Sequence, residues 1–404
     1  MKSGMKNTYK NIYTLIIPLV LVLVTFALDS CVYDYTPKDD EIQGLETPLV
    51  VIDGDIIAGG TTRVKISLTQ PLLQSQPELP LGSSVWIESE DGQIINATPT
   101  DNLANNFEAN TTSVDLQKKY RLCVTIPNRG EYTSQFKNVL ISPPIDSITY
   151  SLGPDRNFAR IEVTTHNNAP GKLYCKWNYY ENWESDALYP SELDYDIAHE
   201  IMSTVSPEEK LARQYCFSEA ISLGTYIANT EKLSENLLYK SIVKEIDKYD
   251  YRLSGLYAIT VTQTALDKEA FIYWESMRNN TNGTGGIFSP QPSEVRGNIT
   301  CTTRPEEIVV GYVNVTTATQ LRKFINWTPV RIFATDCVSL LLTKRDPLES
   351  DNNPGNTLWN AYYSMGYRPI QFDLNTTEKA FWALHKCTDC RIYSNSTKPD
   401  FWPN

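Results

Sequence analysis

The run His385-Lys386-Cys387-Thr388-Asp389-Cys390 brings together more reactive side chains than any other stretch of the 404-residue chain. An imidazole and two thiols at this spacing could ligate a metal if Cys337 supplied a fourth donor. A redox Cys-x-x-Cys would need a thioredoxin-like βαβ setting, which the surrounding sequence lacks. The third chemistry is covalent: one or both thiols staple a long tail to the strand carrying Cys337 or Cys301. Closing a loop of some tens of residues stabilises by about 3–4 kcal/mol. The staple is the favoured reading, so Cys301, Cys337, Cys387 and Cys390 are the disulfide candidates and no metal or cofactor is expected. The other two histidines, His166 and His199, are isolated. Nucleophile-elbow, zinc-protease and P-loop signatures are missing. The Gly283, Gly285, Gly286 stretch lacks the lysine and preceding strand that phosphate binding requires. Acidic pairs such as Glu306-Glu307 are unspecific, and a non-enzymatic chain is expected.

Aromatic side chains are the other candidates. In SSVWIES, Val85 and Ile87 take the core face, so Trp86 should face outward. Trp177, Tyr179, Tyr180 and Trp183 form the densest aromatic cluster, able to stack on sugars or pack against a partner protein. Packing between two domains is the competing use of the same rings.

These groups must be positioned mostly by strands. Tyr, Trp, Thr, Val and Ile recur in short alternating runs. Val64, Ile66 and Leu68 alternate with polar residues. Tyr120, Leu122, Val124 and Ile126 mark another face, with Cys123 on the opposite one as an unpaired thiol. Turn signals fall at Asp91-Gly92 and Asn128–Gly130. Residues 47–143 therefore read as a small antiparallel sandwich. Pro143-Pro144 ends it, because neither proline donates a backbone hydrogen bond. Residues 144–404 read as a larger β-rich α+β domain with helices near 206–215, 230–247 and 267–280. Ser206 opens a capping box for the first of these. Asp267 caps the third, which sets Ala270, Phe271, Trp274 and Met277 on one face. From Asp346 onward the Asn- and Pro-rich tail is expected to wind over the surface.

The front of the chain speaks to location. Lys2, Lys6 and Lys10 precede the uncharged run Leu15–Leu28, which is too short to span a bilayer and has the form of a secretory signal peptide. Leu28-Asp29-Ser30-Cys31 resembles a bacterial lipobox: residues 1–30 would be removed between Ser30 and Cys31, and the Cys31 thiol would carry lipid. Two or three acyl chains hold a protein permanently where one does not. Residues 31–46 form an acidic tether in which Asp34, Lys38, Asp39, Asp40 and Glu41 are similar to a surface-export signal. The formal net charge is −12, and −14 once three lysines and one aspartate leave with residues 1–30. That balance argues against nucleic acid as a partner. Of eight cysteines, seven remain beside Cys31, an odd number that leaves at least one thiol free.

Several strings taken together, ETPLVVIDGDI, WNYYENWE, LYAITVTQTALDKEAFIYWESM, GGIFSPQPSEVRGNI and CTDCRIYSNSTKPDFWPN, closely resemble the Bacteroidota lipoprotein family known as domain of unknown function 4249, from about residue 47 to the C-terminus. The YSNST step departs from the Gly-rich step common in that family. The resemblance implies an immunoglobulin-like N-terminal sandwich, an outer-membrane lipid anchor and a neighbouring TonB-dependent receptor. It carries over no catalytic residues. The expected function is a non-enzymatic accessory of a TonB-dependent transporter in nutrient uptake, anchored in the outer membrane and facing the cell surface. A surface adhesin or assembly factor is the alternative, and a glycan or peptide hydrolase a more distant one.

Overall fold

Along the strand Thr61–Leu68 the side chains of Val64, Ile66 and Leu68 are buried while Arg63 and Lys65 face solvent, so period-2 patterning decides which face meets the core. The computed structural model describes residues 48–70, 80–100, 105–199, 201–282, 295–343 and 357–403. Ser30, Cys31, Asp34, Lys38, Asp39, Asp40, Glu41 and the glycines at 283–286 lie outside the described residues. The fold is mostly β with short helices.

Two sheets share the first core. Thr61–Leu68 pairs with Val50–Asp53 and Asn106–Asn110. Opposite, Lys119–Ile126 runs between Ser84–Ser89 and Gly130–Ser134 and buries Tyr120, Leu122, Val124 and Ile126. This core draws on residues well beyond 143. Ile299–Cys301 pairs antiparallel with Gly130–Ser134, Val309–Val310 runs parallel to Val50-Val51, and Val315–Thr316 runs parallel to Ile56–Ile57. Ile299, Val309, Val313 and Val315 join the same apolar cluster. The parallel approach demands a glycine at Gly311: its φ is +144°, and an added Cβ would sit 2.1 Å from the Ile52 carbonyl oxygen.

The second core lies between another pair of sheets. One has Phe158–His166 between Ile145–Leu152 and Leu237–Asp247. The other has the order Tyr215–Ile221, Tyr174–Asp186, Leu256–Ala265, Ala318–Asn326. Trp177, Trp327, Tyr257 and Ile161 are fully buried between them. Helix α1 (Pro207–Gln214) starts where the Ser206 hydroxyl accepts the Glu209 N–H at 3.2 Å. Helix α2 (Lys268–Asn282) starts where Asp267 accepts the Ala270 N–H at 2.7 Å, and it buries Ala270 and Phe271.

The helix expected at 230–247 is instead the edge strand Leu237–Asp247. Register shifts opposite Ile161/Glu162 and Val163/Thr165 put Leu238, Val243 and Ile246 on the buried side. Bulges break the period of two, and the resulting five-then-three spacing imitates a helical stripe.

The tail is also more ordered than expected. Leu340–Thr343, Thr376–Leu384 and Tyr367–Asp373 form a three-stranded sheet with Trp382 and Ala380 fully buried, backed by helix α3 (Thr357–Tyr363). Residues 346–356 lie outside the described residues; among the described ones, the last stretch lies across a neighbouring sheet, where Trp402 packs edge-on against Phe217 and Phe324 and Arg322 stacks 3.5 Å over Phe401.

Helix α4 (His385–Thr388) carries one half of a disulfide, and Cys390 just beyond it carries half of another. The bonds are Cys337–Cys387 and Cys216–Cys390, each with a Cα–Cα distance of 5.8 Å. Cys301, expected as a partner, is a free buried thiol between the sheets of the first core, and Cys123 and Cys175 are also free and buried. Cys216 is the partner that spacing did not reveal, because it lies 174 residues from Cys390.

Two expectations follow for the tail. Replacing Cys337 and Cys387 together by Ser should destabilise the protein by about 4 kcal/mol, and Cys216 with Cys390 by about 5 kcal/mol. Non-reducing denaturant unfolding reads both, and an unchanged midpoint would refute the staple. Second, Arg391 donates to Glu209 at 2.9 Å and to Asp389 at 2.7 Å. Hydrogen bonds from Arg391 and Arg213 hold the Glu209 carboxyl below its ordinary 4.5. Burial would raise Asp389, but Arg391 outweighs it and holds that carboxyl below 3.8. Both folded values lie below the unfolded ones, so this latch stabilises fully above about pH 4.5 and is lost as pH falls through the depressed values. Arg391→Ala should remove part of the acid-sensitive stability, read as a smaller difference in melting temperature between pH 7 and pH 3.

Candidate functional site

The strand Tyr174–Asp186 carries the aromatic cluster, and alternation turns its rings inward. Trp177 and Trp183 are buried, Trp177 donating to Gln263 Oε1 at 2.7 Å and Trp183 lying 4.2 Å beneath the Arg252 guanidinium. Tyr179 is buried too, with its hydroxyl 3.1 Å from that of Tyr226. Burial, then the Tyr226 hydrogen bond, pushes its phenol far above the ordinary value. Tyr180 is half-exposed and its hydroxyl donates to Glu219. Trp86 is half-buried in the first core's sheet. The expected contact surface is therefore largely core, and the structure does not bring Trp86 together with the other four.

The other face of the same strand is where the chain opens. Lys176 and Asn178 point away from the rings into a groove of about 920 Å³ where the two sandwiches meet. Thr262, Thr264 and Gln320 extend that wall across the next two strands, and the Gln320 amide donates to the Thr262 hydroxyl at 2.9 Å. The opposite wall is the turn Asp53–Thr61 with Arg63, Lys65 and Glu108 from the first sandwich. Hydroxyls, amides and both signs of charge line the groove, while Phe107 on its wall is itself buried in the core. Such a lining suits a polar ligand held by hydrogen bonds.

At the groove's floor the Lys176 ammonium meets Asp55 at 2.6 Å, with 10% and 8% of the two side chains exposed. Asp55 also accepts the Asn314 N–H at 3.1 Å, and Lys176 stacks 4.3 Å over Trp274. Glu108 is paired with Arg63 at 2.6 Å. Two of the groove's carboxylates thus already have ion-pair partners. Asp53 and Lys65 stay exposed and available to a ligand. Sequence periodicity pointed to the right strand and the wrong face: the signal for Lys176 and Asn178 was their position between large rings.

Among the described residues no cluster of histidine, cysteine and acidic side chains could hold a metal ion. Among them, no helix is long and apolar enough to cross a membrane. Residues 33–322 match a family model described as a domain of unknown function (DUF4249). The Cys-x-x-Cys tail falls beyond the matched residues. No curated protein matches the chain.

The floor pair gives a direct test. Lys176→Ala leaves a buried carboxylate unpaired and is expected to cost about 3–5 kcal/mol, whereas Lys176→Met with Asp55→Leu should cost much less. Chemical denaturation of the three proteins reads the difference. Equal losses in the single and double variants would show that the pair's charge is immaterial.

Proposed function

The chain belongs to the DUF4249 family, and from that premise we propose that it is a lipid-anchored surface protein that captures a polar ligand and hands it to a TonB-dependent transporter. The supporting observation is the 920 Å³ polar groove, open along one side and walled by two sandwiches. A groove with ion-paired carboxylates and with amide and hydroxyl groups along its walls suits holding and release rather than cleavage. Its mixed-charge rim can also meet the polar loops of a barrel, since complementary charge governs encounter and orientation. The lipobox ending in Cys31 and the acidic tether from Asp34 to Glu41 support an outer-membrane anchor in a Bacteroidota cell. In this reading Cys31 carries the acyl chains, the first sandwich follows the tether, and the groove works beyond it. The immunoglobulin-like description of that sandwich belongs to the same proposal.

Two experiments test it. Cys31→Ala should move the protein from the envelope fraction to the soluble fraction, because no acyl chain then contributes its roughly 0.8 kcal/mol per buried methylene. Affinity purification of the wild-type chain from detergent-solubilised membranes should recover a TonB-dependent barrel. Recovery of the chain alone, with full retention of binding to host material, would favour the adhesin reading instead.

A further inference from the structure

A second cavity of about 410 Å³ lies away from the groove, where helix α4 and the C-terminal sheet meet the Ser191–Tyr195 segment. Two guanidiniums face it. Arg213 is neutralised: it donates to Asp194 at 2.7 Å and to Glu209 at 2.9 Å. Arg368 is not. Its Nη1 donates to the backbone carbonyls of Tyr362 and Tyr367 at 3.1 and 2.8 Å, and its guanidinium lies 3.8 Å over the Tyr362 ring. Among the described residues no carboxylate pairs with Arg368. One edge of a planar cation is thus held by two carbonyls and an aromatic face, leaving the other edge as an oriented fork.

Beside it stands His385, half-buried, whose imidazole hydrogen-bonds nothing among the described residues. Burial first, then the Arg368 charge, lowers its pKa below 6.5, so the ring is neutral and offers one donor and one acceptor. The remaining carboxylate on the wall, Asp389, is taken by Arg391 at 2.7 Å. Leu193 and Pro369 supply apolar wall. Both disulfides brace this chamber, because Cys387 and Cys390 flank Thr388 and Asp389.

We propose that this chamber binds a small organic carboxylate, its two oxygens on the free edge of Arg368 and a neighbouring hydroxyl or amide of the ligand on His385. The site is independent of the transporter reading, since it needs neither membrane nor partner. A carboxylate matches the fork with two parallel hydrogen bonds, which a halide cannot make; phosphate can pair in the same way but brings more negative charge into a cavity already lined by Asp194 and Asp389. The chain is strongly acidic overall, so general charge attraction does not bring anions here and the local fork must.

Isothermal titration calorimetry of the soluble chain lacking residues 1–31 tests the proposal, with citrate and succinate as probes and inorganic phosphate and chloride at matched ionic strength as controls. Saturable binding of a carboxylate, stronger than phosphate, is expected. Arg368→Gln should weaken it by about tenfold to a hundredfold, the loss of a charge-assisted pair. Arg368→Lys should recover little, because it restores charge without the fork. His385→Asn should weaken binding by a smaller factor and serves as the second probe if the Arg368 variants unfold. No saturable heat with either carboxylate, tighter binding of phosphate, or equal affinity in wild type and both site variants would overturn the proposal. A failed receptor capture would leave it standing, and the reverse holds as well.

Discussion

The contact on which the arrangement of the two sandwiches depends is the buried ion pair of Asp55 and Lys176. Taking two charges out of water costs several kcal/mol, and their attraction repays it only when geometry and further hydrogen bonds are good. Here Asp55 sits in the turn between two strands of the first sandwich, Lys176 on the central strand of the second, and Asn314 on the segment that returns to the first. One carboxylate therefore fixes three stretches of chain far apart in sequence. Lys137 repeats the device nearby, reaching Asp267 at 2.9 Å and Glu269 at 2.8 Å at the start of α2. Burial alone would lower that ammonium's pKa, but the hydrogen bonds it donates to Glu269, Tyr312 and Asp267 raise it. A hydrophobic junction would slide more easily. The charged contacts of Asp55 and Lys137 are directional, and they lie where the two sandwiches meet beside the groove.

Much of the strand pattern was legible because local alternation writes it plainly. Val64, Ile66 and Leu68, or Tyr120 through Ile126, name their own buried face. What failed was whatever depends on residues distant in sequence. The strands at 299–316 complete the first core, one through antiparallel and two through parallel pairing, which no local pattern announces. The strand Leu237–Asp247 hides its period behind two bulges set by its partner. The rings of Trp177, Tyr179 and Trp183 could serve a contact surface or the packing between domains, and only the opposing sheet decides. In the same way, the most specific motif in the sequence gave its thiols correctly to disulfides but could not name Cys216, which a separate strand supplies.

That motif explains why a chamber can exist at the C-terminal end. Short helices such as α4 have too few hydrogen bonds to hold themselves. Two disulfides do so instead, one to Cys337 and one to the sheet edge at Cys216. The thiols that looked able to bind metal are spent in this bracing, and what they position is His385, Thr388 and Asp389 on the wall of a cavity. The arginine that gives the cavity its chemistry, Arg368, stands seventeen residues earlier on another strand, where nothing in the sequence distinguished it from a solvated surface cation.

One strand runs from the groove towards the disulfide that braces the chamber. Lys176 lies near one end of Tyr174–Asp186, and Asp186 at the other is paired with Tyr215, next to Cys216 and its disulfide to Cys390. Ten residues of extended chain span about 33 Å. Between the two ends the strand is held on both sides, by Tyr215–Ile221 and by Leu256–Ala265, and its inward rings are fixed in the second core. Close-packed sheets do not deform gradually, and coupling between distant sites needs an element with two discrete arrangements. A strand locked by ladders on both edges is a poor candidate for one. The two cavities should therefore fill independently, each reporting its own ligand, and a rigid double sandwich is the physical reason.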